Sequence, residues 1–103
     1  MVVEVLRLRL LIPESRSLKA KRQVIRKIRD KVHQQFNVSL AEVGDNDNWK
    51  RATLGMAVVG NDTRFVQSVT GNVEKLIATI HLAQVVGRES ELMHYNENGD
   101  LFS

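Results

Sequence analysis

The densest group of like chemistry in the chain is Ser17-Leu18-Lys19-Ala20-Lys21-Arg22, with Arg16 just before it and Arg26 just after. Cationic side chains three or four residues apart in a helix share a face, where they can follow a line of phosphates. A helix starting near Ser17 adds free first-turn amides and the positive end of its dipole, both suited to an anion. Cations in a first turn oppose that dipole, so local stability favours acids at those positions, and the conflict points to an anionic partner. The alternative reading is a solvated face that keeps copies apart. Trp49, the only tryptophan, lies on a turn beside Lys50 and Arg51. It is placed to stack on a base, to anchor a protein contact, or to cover the end of the core. The candidate RNA-binding set is therefore Arg16, Lys19, Lys21, Arg22 and Arg26 on the helix-one end, completed by Trp49 and Arg51.

Other chemistries find less support. The chain has no cysteine, which excludes disulfides, zinc thiolates, iron–sulfur clusters and thiol catalysis. It carries no P-loop, dinucleotide fingerprint or nucleophile elbow. His33, His81 and His94 fall on separate elements without ligand spacing. Asp45-Asn46-Asp47-Asn48 opens like a calcium loop, but the sixth and twelfth positions hold Lys50 and Met56 where glycine and glutamate are needed. The segment is explained as a turn. The expectation is a non-enzymatic protein with no catalytic residues, no metal and no cofactor.

The elements that must hold these residues follow from periodicity. Val2 to Ile12 alternates: Val2, Leu6, Leu8, Leu10 and Ile12 share one face with a lone Glu4, while Val3, Val5, Arg7, Arg9 and Leu11 share the other. Pro13 ends this strand. Ser17 is the predicted N-cap of a helix whose apolar stripe is Leu18, Ile25, Ile28, Val32 and Phe36. Lys19, Arg22, Arg26, Arg29 and His33 recur on another face at the same period. Asn37 to Val43 reads as a second strand of undecided burial, followed by a turn at residues 44–48. Arg51 to Val59 is a third strand, and Asp62 caps a second helix striped by Val66, Val69, Val73, Leu76, Ile77 and Ile80. A fourth strand begins near Ala83-Gln84-Val85-Val86, and after about residue 93 the tail adds at most a short hairpin around Asn98-Gly99.

The order βαββαβ predicts an α+β, ferredoxin-like fold: two helices on one face of a four-stranded antiparallel sheet, as a single domain over residues 1–103. With right-handed crossovers, the loop before helix one and the hairpin after strand two share an end of the sheet. Arg16, Lys19, Lys21 and Arg22 are thereby expected near Trp49, Lys50 and Arg51. An RNA-recognition motif would stack bases on sheet aromatics; strands one and three contain none, and no Gly-x-x-Gly loop is present. The open sheet face instead groups Val3, Val5, Leu11, Gly55, Ala57 and Val59 around Arg7 and Arg9, which suits pairing with a second copy or a larger partner.

Charge is uneven along the 103 residues. Residues 1–36 hold ten of fifteen Lys and Arg against three acids, a net of +7, whereas residues 37–103 carry a net of −4. A positive field concentrated in one segment fits a polyanionic partner. The longest apolar run, Leu10-Leu11-Ile12, is too short to cross a bilayer. Glu4, Arg7 and Arg9 fall where a signal peptide would be uncharged. A cytoplasmic location away from membranes is expected.

Three linked stretches carry a family resemblance. Residues Ser17 to Arg22, then Phe36-Asn37-Val38-Ser39-Leu40-Ala41-Glu42-Val43, then Asp47-Asn48-Trp49-Lys50-Arg51-Ala52 running into Leu54-Gly55-Met56-Ala57-Val58-Val59, resemble the YlxP-like bacterial proteins, a domain family of unknown function. The resemblance covers about residues 1–93. It implies a ferredoxin-like fold and, because such genes often neighbour those for translation initiation and ribosome maturation factors, a role near the ribosome. Asp45 departs from the histidine common in relatives, and the tail finds no match. The expected function is an RNA- or ribosome-associated accessory factor, the rival being a homodimeric regulatory or scaffolding module pairing through its open sheet face.

Overall fold

The computed structural model describes residues 1–95. Its elements are β1 (Val2–Leu11), α1 (Leu18–Gln35), β2 (Ser39–Gly44), β3 (Arg51–Gly60), α2 (Thr63–Ala78) and β4 (Gln84–His94). The strands form one antiparallel sheet in the order β2-β3-β1-β4, and both helices pack on the same face, giving the expected ferredoxin-like arrangement.

The alternation in β1 becomes two sheet faces. Leu6, Leu8 and Leu10 are buried toward the helices, opposite Met56, Leu54 and Ala52 of β3. Ile25, Ile28 and Val32 of α1 and Val66, Val73 and Ile77 of α2 close the core from the other side. Apolar burial of this kind, worth roughly 25 cal/mol per Å², is what holds the layers together. Both predicted caps are present: Ser17 Oγ accepts from Ala20 N at 3.0 Å, and Asp62 Oδ1 accepts from Phe65 N at 2.8 Å. Glu4 is buried among these apolar groups, where Thr70 Oγ1 of α2 donates to its Oε1.

Three boundaries differ from the sequence reading. β1 ends at Leu11, although Ile12 N still donates to Lys50 O at 2.7 Å, in register one residue beyond the Leu11–Arg51 pair, and Pro13 has no N–H to carry the ladder further. β2 starts at Ser39, after Phe36 has closed α1 by donating its N–H to Val32 O. β4 runs on to His94 and pairs with β1 along its whole length, through a bulge near Leu10. The undecided strand is resolved by register: Leu40 and Glu42 face the helix layer, and Ser39 and Ala41 the open side. The expected turn at Asn98-Gly99 lies outside the described residues.

Candidate nucleic-acid interface

The topology does bring the two basic segments to one end of the sheet, and two lysines tie them there. Lys50 Nζ donates to Pro13 O at 2.8 Å and Ser15 O at 3.1 Å. Lys21 Nζ donates to Asp45 O at 2.7 Å, Asn46 O at 3.2 Å and Arg51 O at 3.2 Å. The loop itself is shaped by Asn48 Oδ1, which accepts from the N–H groups of Lys50 and Arg51. Asp45 adopts a left-handed conformation at φ 59°. Aspartate is among the residues that tolerate that region, and its carboxylate accepts from Thr53 Oγ1 at 2.9 Å.

Lys21 is a correction to the predicted phosphate contacts. Its side chain is fully buried, because residue 21 lies four before Ile25 and seven before Ile28 and so points into the core with them. An ammonium has three protons, and three carbonyls take them. Glu42 Oε2 lies 2.9 Å from Nζ yet receives no hydrogen bond, so that contact is one of charge with charge. Lys21 is a clamp between α1 and the 45–51 loop, and no proton is left for a ligand.

The other predicted residues divide. Arg16, Lys19, Arg22 and Arg26 are exposed, as is Arg29 further along the same helix face. Among the described residues none of the five takes part in an ion pair. At the far end of this stripe, His33 Nε2 lies 3.1 Å from Val38 O, beside the start of β2. Trp49 is 54% exposed on the clamped loop, which rules out its covering the core. Arg51 shares its carbonyl with Lys21, but its register opposite Leu11 puts its side chain on the open sheet face, away from α1. That removes Arg51 from the stripe.

On the open face, Arg7 and Arg9 both donate to Glu89, at 2.8 and 2.7 Å. The hydrogen bond from Arg7, then its charge, holds the Glu89 carboxyl below the usual carboxylate range, and the same contact raises Arg7 further. Arg88 on the helix side pairs with Glu74 of α2 at 2.6 Å. No group of three or more His, Asp or Glu that could hold a metal occurs among the described residues. Among the described residues no helix is long and apolar enough to cross a membrane.

Comparison with known proteins bears on the same residues. Residues 3–90 match a family described as a protein of unknown function, DUF503. The chain belongs to the DUF503 family. The uncharacterized protein YlxP of Bacillus subtilis (strain 168) is 41% identical over 51 residues, which cover 50% of this chain and 55% of that protein. This chain thus matches about half the length of that relative. Among solved structures, the DUF503 chain is similar to the de novo designed protein Foldit4, with a TM-score of 0.53 and 13% identity, covering 93% of this chain and all of that one. It is also similar to SnoaB, a cofactor-independent oxygenase from Streptomyces nogalater, with a TM-score of 0.50 and 11% identity over 93% and 94% of the two chains. At those identities the likeness concerns the fold alone. The YlxP-like resemblance read from the three linked stretches is the family found.

Proposed function

We propose that this chain is a non-enzymatic accessory protein that binds RNA through phosphate contacts along the outer face of α1. The observation that carries the reading is the concentration of exposed, unpaired cations along one helix face and its approach. Arg7, Arg9, Lys21 and Arg88 each lie 2.6 to 2.9 Å from a carboxylate. Arg16, Lys19, Arg22, Arg26 and Arg29 are exposed, and none is in an ion pair among the described residues. Like charges crowded on one helix repel, and a polyanion relieves that repulsion by exchanging its counterions for them. Trp49, fixed on the loop that Lys21 and Lys50 hold, supplies a stacking surface at the end of the stripe. Phosphate contacts position a partner without reading its sequence, so recognition would follow shape. The gene neighbourhood implied by the family makes the ribosome the RNA surface to test first.

The enzymatic alternative has one geometric foothold, Thr63 Oγ1 at 3.0 Å from His94 Nε2. That pair is exposed, and among the described residues no third group bonds the imidazole to orient it, as an activated nucleophile requires.

The test is co-sedimentation with ribosomal subunits across a salt series, comparing the wild type with the Lys19→Glu/Arg22→Glu double variant. Binding should weaken with salt at a log–log slope of about −0.7 per single-strand phosphate contact, and the double variant should flatten that slope by about 1.4 or more. Binding that persists unchanged in the double variant, or no binding by the wild type at low salt, overturns the reading.

A further inference from the structure

The sheet face turned away from the helices has a low half and a raised half. On β2 and β3 its two central rows carry Ala41 and Gly55, then Ser39 and Ala57; on β1 and β4 the same rows carry Arg7 and Glu89, then Val5 and Glu91. The step between the halves encloses a recess of about 560 Å³.

We propose that a second copy of this chain covers this face, related by a two-fold axis that runs parallel to the strands between β3 and β1. The strand order β2-β3-β1-β4 decides what such an axis does. It exchanges β2 with β4 and β3 with β1 while leaving every residue in its row. Arg7 then faces Gly55 of the other copy, Glu89 faces Ala41, Val5 faces Ala57 and Val3 faces Val59. Glu89 meets Ala41 and Val5 meets Ala57, Arg7 meets Gly55 beside the Val43 side chain that leans over it, and the Val3–Val59 row meets apolar on apolar. An isologous interface demands this, because one surface must complement itself. A two-fold running across the strands would instead set Arg7 on Arg7 and Glu89 on Glu89, like charge on like.

The ridge also enters the recess with its charge already matched. Glu89 takes a guanidinium nitrogen of Arg7 on one oxygen and of Arg9 on the other, so docking buries a bonded group and not a bare ion. Strands of six, ten, ten and eleven residues, at about 3.4 Å per residue and about 4.8 Å apart, give a face on the order of 600 Å², close to the roughly 800 Å² per partner of a standard interface. Val59, 60% exposed, and Val43, 57% exposed, supply apolar area that the isolated chain leaves wet. The product is a four-layer sandwich with its sheets about 10 Å apart and each α1 on the outside.

Sedimentation equilibrium over a concentration series, with far-UV circular dichroism and thermal unfolding as controls for folding, tests the proposal. The wild type should be dimeric at micromolar concentration. Ala41→Glu puts bulk and a like charge where Glu89 docks and should raise the dimer Kd at least tenfold; Ala41 is exposed, so secondary structure should be unchanged. Arg7→Ala removes the knob without adding bulk and should also weaken the dimer at least tenfold, whereas Lys19→Glu, on the far layer, should leave it alone. A wild type that stays monomeric, or a dimer insensitive to either Ala41→Glu or Arg7→Ala, overturns the proposal.

Discussion

At the scale of single residues, Lys21 and Arg22 stand side by side in the chain and have opposite fates. Lys21→Met removes the donor of three carbonyls and the counter-charge of Glu42. Breaking a buried pair in this way should cost about 3 kcal/mol of unfolding free energy in a urea titration. Arg22→Glu changes an exposed side chain and should move stability by no more than about 0.5 kcal/mol. Similar losses in both variants would show that Lys21 is no clamp. On the open face, Arg7 keeps Glu89 ionised to lower pH than an ordinary carboxylate. A carboxyl with a depressed folded-state pKa contributes its stability above the ordinary value and loses it as pH falls through the depressed one. Both side chains are half-exposed, so the contribution is small and salt-sensitive. Arg7→Gln should shift the Glu89 midpoint upward in a carboxyl NMR titration; an unmoved midpoint would assign the depression to Arg9.

At the scale of elements, the strands and helices were legible because their periods are clean. The β1 alternation and the two helix stripes each place a buried row that the structure contains. What escaped was a cation in a buried row. Residue 21 falls at the spacing of Ile25 and Ile28, and that spacing was the available signal, but residue type argued for the surface. Only the neighbouring loop carbonyls, brought close by topology, make a lysine tolerable there. Gly71 sits within α2, and a Cβ built on it meets no atom within 4 Å. Glycine costs a helix interior roughly 1 kcal/mol relative to alanine. Gly71→Ala should therefore raise the thermal midpoint by a few degrees, by about 4 °C or more per kcal/mol for a domain of this size. A fall on that substitution would mean the backbone there is not ordinary helix.

At the scale of the whole molecule, the +7 of residues 1–36 resolves into three parts: two sheet arginines that share one β4 carboxylate, the buried Lys21, and the cations of α1 and its approach left to solvent. Summed charge along the chain showed the excess but not the division, because pairing across β1 and β4 joins residues some eighty positions apart. Topology, in contrast, was enough to bring the 45–51 loop to the start of α1, since handedness and element order leave few arrangements. The helix layer and the open sheet face point in opposite directions, so a ligand on one leaves the other free. The clamp lysine has a last consequence, for chemical labelling. An acylating reagent in water finds the amines of Lys19, Lys27, Lys31 and Lys75 exposed, while that of Lys21 is sealed. Acyl transfer to Lys21 must wait for α1 and its loop to part. The rate at which that one amine is tagged is thus a clock for the opening of this end of the protein, built into the chain without any added probe.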